Sequence, residues 1–281
     1  MTLLDYLDAI SIAGSRFKAN EDAMGRAWNR AWVIDGLADI AEPVMASSSG
    51  GAWLSRRVNY FFARHAHIAD TQEMMANVAC DLEQTFVQER CRTLQERWES
   101  PFAAFVMMTM LRGGEIEVAW LGTSRAILHG SDNSVHSFGA TPSSEEQESQ
   151  AIVKFKAQDP SARYRSDEAQ EFLRARRALY NLPGQQGMLA PDKAFAPLVK
   201  RSKVKLKRPA DALLMTIGFA ALELRYLDIA EPAFVHSAVE HGLARLVARL
   251  RKIEEDMDPD CNHFPRWRKS EDATAMLVTL P

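Results

Sequence analysis

The sequence predicts an α+β domain spanning residues 1–281, and three observations carry that prediction. Short apolar runs of strand length stop at turns, longer stretches repeat apolar residues at helical spacing, and no linker or repeat divides them. A domain of this size buries about three quarters of its unfolded surface, so its core needs no disulfide or structural metal.

Residues 7–13 form a first strand, followed by a basic and then acidic loop, Gly14-Ser15-Arg16-Phe17-Lys18-Ala19-Asn20-Glu21-Asp22. Strand character returns at 27–34 and delivers Asp35 and Gly36, with Asp39 just beyond. A carboxylate at the end of a buried strand is rigidly held, and a glycine beside it leaves the backbone carbonyl approachable. Hard divalent cations favour that combination of fixed oxygens with room for water. Residues 50–67 and 71–98 read as amphipathic helices, with Trp53, Leu54, Val58 and Phe61 on the first and Met74, Val78, Leu82 and Phe86 on the second. Runs at 102–111, 116–121 and 125–129, separated by Arg112-Gly113-Gly114-Glu115 and Gly122-Thr123-Ser124, predict an antiparallel meander. The polar stretch 142–177 predicts an exposed helical insertion, and Asn181-Leu182-Pro183-Gly184 a turn. In the basic run 200–208, Val204 and Leu206 alternate with lysines, which reads as a charged sheet edge ahead of a phosphate-binding segment. Residues 212–216 form a strand stopping at Gly218, Pro232 opens one long helix reaching 256, and 275–280 form the last strand.

Composition sets limits on function. The chain is 47% hydrophobic and 25% charged with a net charge of −3, which gives no electrostatic footprint for nucleic acid. No apolar run reaches the ~20 residues of a membrane span. Cys80, Cys91 and Cys261 are too widely spaced for a metal motif or disulfide framework. The N-terminus carries Asp5 and Asp8 and lacks the basic lead of a signal peptide, so a cytoplasmic location is expected.

Acids stand out at three places: Glu21-Asp22, Asp35 beside Gly36, and Glu271-Asp272. In chain order, Asn20-Glu21-Asp22-Ala23, Trp32-Val33-Ile34-Asp35-Gly36, Leu121-Gly122-Thr123-Ser124-Arg125-Ala126, Leu213-Leu214-Met215-Thr216-Ile217-Gly218-Phe219 and Glu271-Asp272-Ala273-Thr274 resemble the motifs of the metal-dependent protein phosphatase family, protein phosphatase 2C. The Asn181-Leu182-Pro183-Gly184 turn and Leu250-Arg251-Lys252-Ile253-Glu254 resemble a bacterial branch of it. The resemblance implies a four-layer αββα sandwich of two antiparallel sheets flanked by helices. It also implies two Mn²⁺ or Mg²⁺ ions at one end, and a metal-bridging water that attacks phosphoserine or phosphothreonine. Carried over, Asp35 bridges the metals and Gly36 offers its carbonyl. Glu21 and Asp22 serve one ion and Glu271 the other, with Asp35 and Asp22 as the catalytic candidates.

The pattern is broken at several positions. Ile217 stands where the family has a metal-binding Asp, Thr123 replaces the Asp of the Gly-Asp-Ser-Arg motif, and Glu271 is one methylene longer than the Asp it replaces. Phe17 lies where a phosphate-gripping Arg is expected, leaving Arg16 and Lys18 beside it as phosphate-binding candidates. Losing one carboxylate about 4 Å from a cation removes roughly 4 kcal/mol per unit charge at an effective dielectric near 20. That is on the order of a thousandfold in affinity. Asp39 and Asp272 are candidate compensating acids. The expectation is a pseudophosphatase or very weak phosphatase that binds a phosphoprotein, a kinase or another signalling protein. The alternative is an active Mn²⁺- or Mg²⁺-dependent serine/threonine phosphatase with an unusual ligand set.

Overall fold

Two antiparallel sheets stack face to face in the computed structural model, which describes residues 5–40, 42–46, 49–158 and 166–280. The first half of the chain gives β1 (Asp5–Ile12), β2 (Ala23–Ala27), β3 (Arg30–Gly36), α1 (Gly50–His65), α2 (Thr71–Glu89), β4 (Ala103–Met110), β5 (Ile116–Leu121), β6 (Arg125–Gly130) and β7 (Val135–Gly139). The second gives α3 (Pro142–Gln158), α4 (Asp167–Ala178), β8 (Lys200–Val204), β9 (Ala210–Met215), α5 (Ile217–Leu224), α6 (Glu231–His241), α7 (Leu243–Lys252) and β10 (Ala273–Leu280). One five-stranded sheet has the order β1-β10-β9-β6-β7 and the other β2-β3-β4-β5-β8.

Strand alternation explains the layering. Along β3, Ala31 and Val33 face the opposite sheet and join Val106, Met108, Leu128, Leu214 and Val278 in the apolar layer between the sheets. Trp32 and Ile34 point the other way, onto Leu54, Val58 and Phe62 of α1 and Met74 and Val78 of α2. The outer face of the β1-β10-β9-β6-β7 sheet is covered by Phe219 and Leu222 of α5, Phe234 of α6, and Leu246 and Leu250 of α7. Each such buried aliphatic or aromatic side chain contributes roughly 1.5–3 kcal/mol of burial. The result is the expected α+β sandwich, helices outside and sheets inside.

Several boundaries differ from the sequence reading. The strand expected at 27–34 is the second arm of a hairpin: β2 runs back along β3, pairing Ala23 with Ile34 and Ala27 with Arg30. Trp28, at φ 57°, makes that turn without glycine, so the sequence concealed it. The second helix ends at Glu89 rather than near Trp98. The meander breaks at Gly122-Thr123-Ser124, because β5 lies in one sheet while β6 lies in the other between β9 and β7. A three-residue link between apolar strands looks the same whether the chain doubles back or steps across the sandwich. The long helix from Pro232 is two, broken at Gly242, where φ is 77°. β8 is an edge strand, as its alternating lysines suggest. The stretch 142–177 supplies α3 and α4, which bury Glu145, Ile152, Ala169 and Arg177.

Candidate active site

Period-two geometry places the acids. Asp35 has the parity of Ala31 and Val33, so it points into the space between the sheets, at the strand end where that space opens. On the facing sheet Thr216 follows β9 with the parity of Leu214, and Thr274 in β10 has the parity of Met276 and Val278. Asp22 precedes β2 and shares the parity of Met24, which packs on the same layer. Four chain segments thus meet at one mouth of the sandwich.

Hydrogen bonds fix them there. The Thr216 hydroxyl donates to Asp22 Oδ2 at 2.9 Å and accepts from the Thr274 amide at 3.0 Å. The Ile217 amide, at the N-terminus of α5, donates to Asp35 Oδ2 at 2.9 Å. Asp22 Oδ1 is buried and finds no hydrogen-bond partner among the described residues. Gly36 is tightly enclosed: a Cβ there would lie 2.3 Å from the Glu21 carbonyl oxygen and 2.6 Å from that of Gly51. Only glycine lets β3, the Glu21 loop and α1 approach this closely.

The electrostatics are those of crowded acids. Burial, reinforced by the neighbouring acids Glu271, Asp272 and Glu21, lifts Asp35 to about 7 despite the Ile217 amide. Burial lifts Glu21 to about 7 as well, against the opposing pull of Ser49 and Arg268. Asp22 is pushed well above the usual range by burial and then by Asp35 and Asp272.

A cavity of about 730 Å³ opens here, lined by Asp22, Asp35, Gly36, Thr123, Ile217 and Glu271. Helices α3 and α4 form its roof through Glu148, Ile152, Phe172 and Arg176. Arg16 and Lys18 line an adjoining cleft of about 680 Å³, which shares Glu21, Arg268 and Asp272 with the main cavity. Arg16 stacks on the Phe17 ring at 4.8 Å, and Phe17 is 83% exposed.

The two candidate compensating acids hold backbone instead. Asp272 accepts from the Gly14 amide with one oxygen and the Glu21 amide with the other, both at 2.7 Å. It ties the acidic loop to the last strand. Asp39 accepts from the Gly50 amide at the start of α1 through both oxygens, at 3.1 and 2.9 Å. Glu271 faces Arg268, whose Nη1 lies 3.5 Å from Glu271 Oε2 and 4.0 Å from Glu21 Oε2. Among the described residues no three Asp, Glu, His or Cys side chains converge into a ready-made cation cage.

Sequence reasoning missed Arg268 and Thr216. The first belongs to a basic run, Arg266-Trp267-Arg268-Lys269, separated from Glu271 only by Ser270, and that proximity was a usable signal. The second is an ordinary threonine whose role depends on pairing between distant strands.

The fold is a protein phosphatase 2C-like sandwich, the architecture found in serine/threonine phosphatases. The chain is similar in structure to the Mycobacterium tuberculosis serine/threonine phosphatase PstP/Ppp, with a TM-score of 0.54 at 13% identity and 99% of both chains covered. It is similar to the photosystem II phosphatase PBCP at TM-score 0.59, 12% identity and 98% coverage of each. PppA, a regulatory component of the type VI secretion system in Pseudomonas aeruginosa, gives 0.52 at 15% identity and 99% coverage of each. The PstP catalytic domain binds two manganese ions. No family model matches the sequence, and no curated protein matches it.

Proposed function

We propose that this chain is a protein phosphatase 2C-fold protein with a degenerate two-metal site. It acts in serine/threonine phospho-signalling by binding a phosphoprotein, a kinase or another signalling protein, with little or no catalysis. The observation that carries this reading is the pairing of Glu271 with Arg268, which sets a fixed positive charge beside an acid the resemblance assigns to a metal. Ile217 contributes no oxygen, and its amide occupies one oxygen of Asp35. The unpartnered Asp22 oxygen and the raised Glu21 and Asp35 fit a cation on the Gly36 side. The Ile217 and Glu271 side does not fit one, so the residues present do not suit a metal pair.

The same unpartnered oxygen favours the second reading, an active Mn²⁺- or Mg²⁺-dependent serine/threonine phosphatase, since a buried unpaired carboxylate oxygen is costly unless a cation meets it. Cytoplasmic residence is supported by three cysteines that are all thiols. No described helix is long and apolar enough to cross a membrane. The deciding experiment is hydrolysis of a small phosphomonoester and a phosphothreonine peptide in millimolar Mn²⁺, with Asp35→Ala as control. We expect no turnover above the control. Metal-dependent turnover that vanishes in Asp35→Ala would overturn the pseudophosphatase reading.

A further inference from the structure

We infer that the Arg268 guanidinium is an internal counter-cation that keeps a divalent ion out of the Glu271 side of this site. The inference deepens the degenerate-site reading and rests on it. Three observations support it.

The first is position. Arg268 Nη1 lies within 4.0 Å of carboxylate oxygens from two different segments, Glu21 and Glu271, and its side chain is only 19% exposed. A guanidinium so placed neutralises the carboxylates that a metal there would need.

The second is rigidity, which separates Arg268 from a surface arginine that has drifted onto acids. On one side Arg266 is buried, pairs with Asp258, and donates from Nε to the Lys269 carbonyl at 3.0 Å. Asp258 in turn accepts from the amides of Asn262, His263 and Phe264. Trp267 packs against Phe155 of α3 at 5.3 Å and Phe172 of α4 at 6.0 Å. Downstream, Arg251 Nη2 donates to the Glu271 carbonyl at 2.8 Å. The segment carrying Arg268 and Glu271 is therefore clamped on both sides.

The third is charge balance. Ile217 is neutral where the resemblance places an acid, and Arg268 adds a positive charge. Removing one negative and adding one positive charge shifts the site by two units, the charge of one divalent ion. Asp272 and Asp39, the other nearby acids, are oriented by backbone amides rather than toward Glu271.

The test is calorimetric titration of the full chain with Mn²⁺, comparing wild type with Arg268→Gln, Arg268→Met and Arg268→Lys. Competition for shared carboxylates about 4 Å away is strong at an effective dielectric near 20, and after relaxation by water about a tenfold effect should remain. We expect Gln and Met to bind Mn²⁺ at least about tenfold more tightly than wild type, and Lys, which keeps the charge, to gain nothing. Equal affinities across the series would overturn the inference, as would a gain in Lys equal to that in Gln. Wild type alone also tests it: two Mn²⁺ ions bound per chain at micromolar concentration would overturn it with no variant needed. The readout is independent of catalysis. A wild type that proves active with one ion defeats the pseudophosphatase reading and leaves this affinity comparison standing.

Discussion

The amide of Ile217 donates to Asp35 Oδ2 across 2.9 Å, so the residue that stands where the resemblance places an acid also holds Asp35 in position. The bond runs through the backbone, and any residue but proline at 217 keeps its donor. This makes position 217 a clean place to return a carboxylate. An acid in the first turn of α5 is also favoured by the helix dipole, which offsets part of the lost packing of the half-buried Ile217.

Ile217→Asp should therefore fold and raise Mn²⁺-dependent hydrolysis of a small phosphomonoester at least about tenfold over wild type. The ceiling, from one carboxylate about 4 Å from a cation, is on the order of a thousandfold in metal affinity. The gain should be larger when Arg268→Gln is added, and absent when Asp35→Ala is. A folded Ile217→Asp chain that gains nothing, alone or with Arg268→Gln, would mean that the rest of the site does not support catalysis.

Asp35 sets a trade between site chemistry and stability. Its folded value of about 7 lies above its ordinary 3.8, so the folded chain binds a proton that the unfolded chain has released between those values. Stability from this group is fully present below about pH 3.8, falls as pH rises, and is lost by about pH 7. Asp35 is partly exposed to the cavity, and solvent screening leaves about 2 kcal/mol of the penalty. Asparagine keeps an acceptor for the Ile217 amide and carries no charge. In EDTA, Asp35→Asn should match wild-type Tm near pH 4 and exceed it by a few degrees at pH 8. A thermal scan at both pH values decides it, and no advantage at pH 8 would refute the account of a buried carboxylate crowded by acids.

Arg30 is the largest polar commitment of the core. Its parity along β3 points it, with Trp32 and Ile34, at the helices. There it donates to the hydroxyls of Thr71 at 3.0 Å and Thr109 at 3.2 Å, and to the carbonyls of Ile68 at 2.7 Å and Ala69 at 3.2 Å. Thr71 passes the link on to buried Glu117. Arg30→Ala removes the cation near that carboxylate, leaves the Ile68 and Ala69 carbonyls without their donor, and should cost about 3–5 kcal/mol. The urea midpoint measures it. A loss under about 1 kcal/mol would show that water replaces the guanidinium.

How much of this was legible in the sequence depends on range. Asp35 was readable because an alternating apolar run dictates which face its last member shares, and strand, acid and glycine are contiguous. The roles of Glu271 and Asp272 were not separable, since adjacent acids look alike until the amides of Gly14 and Glu21 claim one of them. The crossover at Gly122-Thr123-Ser124 was unreadable for a related reason. Whether β6 pairs with β5 or with β9 is decided by a strand more than eighty residues away. Arg268 needed both kinds of information: its neighbours in sequence announce a charge cluster, but its acid on the far side, Glu21, comes from the other end of the chain.

Asp258 gives the sharpest test of how the Arg268 segment is held. Its carboxylate collects three backbone amides and the Arg266 guanidinium, and both side chains are almost wholly buried. Those charge-assisted bonds outweigh the cost of burial and hold Asp258 below the usual carboxylate range. Asp258→Ala leaves the buried Arg266 without its carboxylate partner and frees three amides at once, a loss of about 3 kcal/mol or more. The damage should be local before it is global. Amide exchange at Asn262, His263 and Phe264 should accelerate by at least about a hundredfold, while Trp32, Val33 and Ile34 in β3, shielded on both sheet faces, accelerate only in proportion to the lost global stability. If those strand amides and the loop amides accelerate equally, the loop is not an independent clamp, and the rigidity of Arg268 comes from the sandwich as a whole.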